Sequence, residues 1–325
     1  MSPFPFNERR WKHYKLCQKK YIKTGDCDPS YPILKYVTQK HNLNIEQRYW
    51  LAFLYSSCYA DATAWAMFKT LPEYKDINKL NLDTWWLEYK SKLLFCTDRA
   101  KVKNFNKLVP MLLSYKELIG DNQEQKFETL KGKTPEETYE NVYKYLSKIY
   151  YVGRFSLFLI TEIINVLTNF PMLPNSLDLI DAESCRNGLC YALGADEWIT
   201  FHGKKKIELT KEQYEHLYKM LDKLVKESKE EYPDLNISYW NIETTLCAYK
   251  KYYWRTRYIG YYIDRQQTGI KHMERAMPEL IGDWKLFWEA RKKTLDNRYV
   301  GELHNWSGIR KGKMGLPDEK ELTND

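Results

Sequence analysis

Helix starts punctuate this chain from end to end, and they leave little room for a sheet. "NIEQRYWLAFLYSSCYADATAWAMF" opens on Asn44 with Gln47 three positions later, the signature of a reciprocal cap. Within it Trp50, Leu54, Ser57, Cys58, Asp61, Trp65 and Phe68 recur at steps of three and four, which predicts one long helix with one inward face. "TPEETYENVYKYLSKI" begins Thr134, Pro135, with Glu137 closing the box. "RFSLFLITEIINVL" follows Gly153, and "TKEQYEHLYKMLDKLVKESKEEY" is capped by Thr210 with Gln213. "SYWNIETTLCAYKKYYW" and "PELIGDWKLFWEARKKTL" complete the helical segments. The strand signal is "KKKIEL" at 204–209, alone or as a small β-hairpin with "WITFHG". There is no βαβ alternation, no G-x-G-x-x-G and no G-x-x-x-x-G-K-[ST], so nothing reads as a Rossmann or P-loop nucleotide site. The expected fold is mainly α: one helical unit over 1–310, with two lobes meeting near 150–200, then a flexible polar tail over 311–325.

With 325 residues, 43% of them hydrophobic, the chain can bury a large core. No apolar run approaches the ~18 residues that span a bilayer, and "MSPFPFNERRWKHYK" lacks the apolar centre of a signal peptide. A cytoplasmic protein with no membrane partner is expected. The net charge of +8 is modest, but a modest total can hide a basic face. The 27 Tyr and 11 Trp suit a helical core, and equally a wet cleft or a surface that stacks on bases. The seven cysteines show neither C-x-x-C nor Cys/His zinc spacing, so reduced thiols and no structural metal are expected.

Five places look wrong for structure alone. "DLIDAESCRNGLCYALGAD" (178–196) crowds Asp178, Asp181, Glu183, Arg186 and Asn187 between apolar segments. Asp61 falls on the apolar stripe between Cys58 and Trp65, and Glu162 follows Phe158 and Leu159 with Ile163 beyond. A buried carboxylate needs a partner or a cleft, and its shifted pKa suits acid–base work or holding a cation. A structural ion pair is the plain alternative for both. "YYVGRFSLF" (150–158) joins two helices through Gly153, whose following N–H groups and Arg154 suit a phosphate. An ordinary helix–helix turn explains it equally well. In "YWRTRYIGYYIDR" (253–265), Arg255, Arg257 and Arg265 alternate with tyrosines, and Asp264–Arg265 form a candidate pair; the alternative is a solvated basic face.

Helix, tight Gly turn, helix and then an acid-bearing segment resembles the helix-hairpin-helix DNA glycosylases. "YVGRFSLFL" would be the hairpin, with Tyr151 where the first hairpin Gly is usual, and Asp178 or Asp181 would be the acid. No Lys follows the hairpin Gly, which counts against a lyase. A closer resemblance spans about residues 20–305. "GDCDPSYPILKYV", "EQRYWLAFLYSSCYADATAW", "VGRFSLFLITEII", "DAESCRNGLCYALG" and "RYIGYYIDR" look like the phage amino acid:DNA transferases, also called alpha-glutamyl/putrescinyl thymine pyrophosphorylases. That resemblance implies transfer of an amine, from an amino acid or polyamine, onto the 5-methylene carbon of pyrophosphorylated 5-hydroxymethyluracil in double-stranded DNA, after a hydroxymethyluracil kinase has acted.

Such chemistry would flip the base and hold it on Tyr59 and Tyr191. Arg154, Arg186 and Arg265 would neutralise pyrophosphate. Asp181 and Glu183 would take the amine's proton, with Asp61 or Glu162 holding the donor's ammonium. Asn187 would read the uracil edge, Gly188 would permit close approach, and Asp264 would pair with Arg265 beside the substrate. Gly153, Arg154, Arg255 and Arg257 would hold DNA phosphate. No cofactor is required, although Mg²⁺ is compatible with the pyrophosphate. A glycosylase acting on a modified base, a non-catalytic DNA-binding module and an RNA-modifying enzyme remain open alternatives, and the sequence leaves the donor undetermined.

Overall fold

The computed structural model describes residues 4–95, 105–200, 207–300 and 314–323, with the side chains of 105 and 106 left aside. The helices run α1 (Glu8–Lys23), α2 (Ser30–Lys40), α3 (Ile45–Cys58), α4 (Asp61–Thr70), α5 (Lys79–Tyr89), α6 (Phe105–Ile119), α7 (Gln123–Glu128) and α8 (Pro135–Leu146). They continue as α9 (Arg154–Thr168), α10 (Glu183–Leu193), α11 (Lys211–Glu231), α12 (Tyr239–Tyr253), α13 (Tyr261–Ala276), α14 (Ile281–Thr294) and α15 (Glu319–Thr323). No described residue lies in a strand, so the mainly α expectation holds. Residues 201–206 of the anticipated hairpin lie outside the described residues, and 207–210 is irregular.

Local chemistry sets the helix starts. Asn44 accepts from the Gln47 N–H at 2.9 Å while the Gln47 side chain accepts from the Asn44 N–H at 3.0 Å. Thr210 and Gln213 close the same reciprocal box before α11. Thr134 caps α8, but Glu137 reaches one residue further out and accepts from the Lys133 N–H at 2.6 Å. Each such cap is worth about 1 kcal/mol, enough to fix a boundary.

The long helix expected from Asn44 to Phe68 is two helices. Tyr59 takes a left-handed conformation at φ 50, Ala60 is extended, and α4 starts afresh at Asp61. The one-face reading fails with it: Tyr49 through Cys58 are all buried, so α3 is covered on every side.

The chain divides into two compact units, each built from separated stretches. One comprises Met1–Asp28, Pro174–Asp264 and Leu295–Asp325; the other comprises Pro29–Leu173 and Arg265–Thr294. In the first unit α10 packs on α12, α1 and α11. Gly188 lies against α12 so closely that a Cβ would collide with the Leu246 carbonyl. Residues 314–323 of the tail expected to be loose pack within this unit. Leu322 of α15 is 4% exposed, and the Pro317 carbonyl lies 2.8 Å from His13 Nε2. One buried leucine and one anchored carbonyl suffice to hold a short segment that composition marks as polar.

In the second unit α3 is the central element, packed by α9, α4 and α7, while α2 packs against α9 and α14. Its aromatics stack on those of α6 and α7: Phe53 on Tyr115 at 3.8 Å between ring centres, and Tyr49 on Phe127 at 4.4 Å. Much of the aromatic content is therefore core.

Candidate active site

In the second unit the break between α3 and α4 positions an acid. Because α3 stops at Cys58 and the backbone turns through Tyr59 and Ala60, Asp61 becomes the first residue of α4. Its side chain is 2% exposed. The Ala62 N–H donates to Oδ1 at 2.8 Å, and Gln266 Nε2 of α13 donates to Oδ2 at 2.8 Å. Arg291 Nη1 of α14 donates to Gln266 Oε1. That bond fixes which way the Gln266 amide faces, since its carbonyl is taken and its NH₂ must point to Asp61. Burial pushes the Asp61 carboxyl up to about 6, opposed by the Gln266 and Ala62 hydrogen bonds and by the Arg291 charge. A carboxylate raised to that value is mostly ionised at neutrality and still basic enough to accept a proton.

Glu162 lies mid-helix on α9, 8% exposed, and accepts from the Tyr31 hydroxyl at 2.8 Å. From Tyr31 a run of rings leads outward. Tyr31 meets Tyr55 at 5.8 Å, Tyr55 meets Tyr59 at 5.9 Å, and Tyr59 meets Phe155 edge-on at 5.8 Å. Tyr59 and Phe155 are only half-buried. Tyr59, Asp61 and Glu162 therefore belong to one unit, and Tyr59 stands two residues before Asp61.

The same unit holds the turn between α8 and α9. Gly153 is the N-cap of α9 with no side-chain cap, open space surrounds it, and Arg154 is the first helical residue. Backbone N–H groups of the α9 first turn thus have no capping side chain competing for them. Tyr150 and Tyr151 are exposed on the turn, and Lys107 of α6 donates to the Tyr151 hydroxyl at 2.6 Å. Arg265, also in this unit, is half-buried on α13.

The polar segment of the first unit has a different occupation. Asp178 accepts from the Ile180 and Asp181 N–H groups at 3.1 and 3.0 Å, making the turn into α10. Arg186 is fully buried, and its Nη1 donates to the Leu179 carbonyl (3.2 Å), the Ile180 carbonyl (2.9 Å) and the Tyr214 hydroxyl (3.0 Å). It clamps that turn and does not face outward for a pyrophosphate. Asn187 is also fully buried; its amide donates to the Thr200 carbonyl at 2.7 Å and its oxygen accepts from the Thr200 N–H at 3.2 Å. Both functions that would read a base edge are spent on the chain itself. Gly188 serves helix packing, not approach to a nucleic acid. Tyr191 is 7% exposed, stacked on Tyr253 at 4.2 Å, and its hydroxyl accepts from Trp254 Nε1, so it is core and not a cradle for a base.

Asp264 is fully buried and accepts from the Tyr258 hydroxyl at 2.9 Å. Beside it Asp26, which drew no notice in the sequence, accepts from the N–H groups of Gly260, Tyr262 and Ile263 at 2.7, 2.8 and 3.0 Å. It caps α13 from a distant segment. Arg257 lies over the Tyr261 ring at 3.9 Å, half-buried, whereas Arg255 is exposed with φ 52. Asp181 is exposed and Glu183 half-buried at the start of α10. Next to Glu183, Ser184 Oγ accepts from Lys250 Nζ at 2.7 Å; this lysine is 7% exposed and lies 4.4 Å from the Trp254 ring centre. A lysine in the apolar run "LCAYKKYYW" was the available signal for that pair, and for Gln266 and Arg291 no local signal existed.

Among the described residues no group of three or more His, Cys, Asp or Glu could hold a metal ion, and no helix is long and apolar enough to cross a membrane. A buried acid with a raised pKa and a basic, tyrosine-bearing turn in a helical framework are features that enzymes acting on nucleic acid can use. The chain belongs to the amino acid:DNA transferase family, whose profile matches residues 22–258. It is 29% identical over 294 residues to a serinyltransferase of Salmonella phage ViI, covering 83% of this chain and 69% of that protein. The protein is thus a transferase of DNA modification, with DNA and an amino acid as its substrates.

Proposed function

We infer that the protein joins the amine of an amino acid to the 5-methylene carbon of pyrophosphorylated 5-hydroxymethyluracil in double-stranded DNA. The nitrogen lone pair forms the C–N bond, the C–O bond to pyrophosphate breaks, and pyrophosphate leaves with that electron pair. An ammonium must lose a proton before it attacks. The observation that carries this reading is Asp61, buried, raised to about 6 and held by Gln266. Asp61 takes the proton and Glu162 holds the donor's ammonium beside Tyr31. This moves the proton acceptor away from Asp181 and Glu183 at the start of α10.

The α8–turn–α9 segment acts as the helix-hairpin-helix element, with Gly153 and Arg154 on DNA phosphate. Tyr59 and Phe155 supply ring faces for a base taken out of the stack. Arg265, half-buried on α13 of the same unit, is the arginine proposed for the pyrophosphate. A hydroxymethyluracil kinase supplies the activated base, and Mg²⁺ is compatible with the leaving pyrophosphate. The relative's name makes serine the first donor to try.

The test is to incubate the protein with DNA carrying the pyrophosphorylated base and a mixture of amino acids and polyamines, then digest and weigh the nucleosides. A nucleoside heavier by one donor, with pyrophosphate released, is expected. Release of a free modified base would replace this reading with a glycosylase. Unchanged DNA would refute the activated substrate named here.

A further inference from the structure

The turn between α8 and α9 carries a strained residue that phosphate binding does not explain. Tyr151 sits at φ 63. For a bulky L-residue that left-handed conformation costs about 1–2 kcal/mol, while glycine adopts it freely. The turn does contain a glycine, but at Gly153, where φ is −100 and none is demanded. Core packing does not repay the strain either, because Tyr151 is 39% and Tyr150 51% exposed. A large ring has been kept, outward, at a position that favours no ring.

The surroundings hold that ring in place. The Tyr150 N–H donates to Ser114 Oγ at 2.9 Å, and the Val152 N–H donates to the Ile149 carbonyl at 3.2 Å. Lys107 Nζ bonds the Tyr151 hydroxyl and lies 4.5 Å from the ring centre, so it touches one side of the ring. The two tyrosine rings are 6.1 Å apart and inclined by 36°, too open to satisfy each other by stacking. Lys148 and Arg154 flank them in sequence, giving an aromatic pair in cationic surroundings. Strain of this kind persists where function uses it. The substrate, DNA, offers flat π-faces rimmed by phosphate.

We propose that Tyr151, with Tyr150, stacks on a base of the bound DNA, and that Lys107 positions the Tyr151 ring for it. This rests on the reading that the α8–α9 turn faces DNA. The decisive variant is Tyr151→Gly, because glycine suits the backbone there. Its melting temperature should equal or exceed the parent's. Its affinity for a fluorescein-labelled duplex should fall about tenfold. The change in emission of a 2-aminopurine placed beside the target thymine, seen on binding to the parent, should be lost. Tyr151→Phe, which keeps the ring but loses the Lys107 bond, should bind between the parent and Tyr151→Gly and restore part of that signal. A Tyr151→Gly protein that binds and reports like the parent overturns the proposal. Arg154→Ala, measured beside it, then separates two failures. Weakened binding with a flatter salt dependence would leave the turn on the DNA without stacking. Unchanged binding would remove the turn from the DNA altogether.

Discussion

The entry into α10 and the joint between α3 and α4 both set acids among apolar residues, and they use them in opposite ways. At α10 the polar groups are many, and most are consumed. Asp178 builds the turn, Arg186 clamps it, and Asn187 fastens Thr200. At the α3–α4 joint there is a single acid, each oxygen of which accepts one hydrogen bond. Asp61 accepts one backbone and one side-chain hydrogen bond, which do not cancel the cost of its burial, and its pKa stays high. Density of polar residues therefore marks where a chain must be fastened. A lone acid left with a raised pKa marks where a proton can move.

The sharpest way to break this comparison is to neutralise one acid in each region. Asp61→Asn should lower the transfer rate by about 10²–10⁴, read as kcat on activated DNA, while Asp181→Asn should cost much less. The reverse order would return the base to α10. Stability gives an independent check. The folded Asp61 pKa lies above the ordinary value of 3.8, so between about 4 and about 6 the folded state binds more protons than the unfolded one. Stability should fall as pH rises through that window, by roughly 3 kcal/mol, and then level off. Asp61→Asn should abolish the slope. At neutral pH the variant should be no less stable than the parent, so its lost activity would not be lost folding.

At α10 the largest effect should be on folding. Gly188→Ala forces a methyl into the Leu246 carbonyl, which is backbone and cannot swing aside. A loss of about 3 kcal/mol is expected from the urea midpoint, with the slope unchanged. A normal midpoint would mean the α10–α12 contact is looser than the geometry requires.

The contrast also explains what could be read in advance. Caps are local, so Asn44 with Gln47 and Thr210 with Gln213 were legible as helix starts. The family was legible because several blocks keep one order along the chain. The break at Tyr59 was not, since neither glycine nor proline marks it and the apolar pattern runs straight through. Nor could spacing show that Asn187 pairs with Thr200, or that Asp61 is held by Gln266, 205 residues away. Asp61 and Glu162 stood out because a charge on an apolar stripe breaks a pattern. Asn187 stood out for the wrong reason: its segment was polar, and what satisfied it, Thr200, lay elsewhere.

A smaller effect tests the clasp. Asn187→Ala strands the Thr200 N–H and carbonyl and should cost about 2 kcal/mol of stability. Discrimination between thymine-derived bases should be unchanged among the molecules that remain folded. Loss of that discrimination at full stability would make Asn187 a base reader after all.

The smallest effect probes how Asp61 is tuned. Gln266→Glu keeps the size and the Arg291 partner but replaces an amide donor to Asp61 with a second carboxylate. The donor bond that lowers the Asp61 pKa is lost, and a like charge is added beside it. Both changes favour the protonated acid, so the acidic limb of kcat against pH should move upward by about one unit. Partial recovery is expected at higher pH, where Asp61 ionises again. An unmoved limb with a uniformly lower rate would make Gln266 a packing residue. A limb that moves with little loss at its plateau would place Gln266 and Arg291 as positioning residues acting through Asp61, and would tie the proton transfer to the one acid that the α3–α4 break presents.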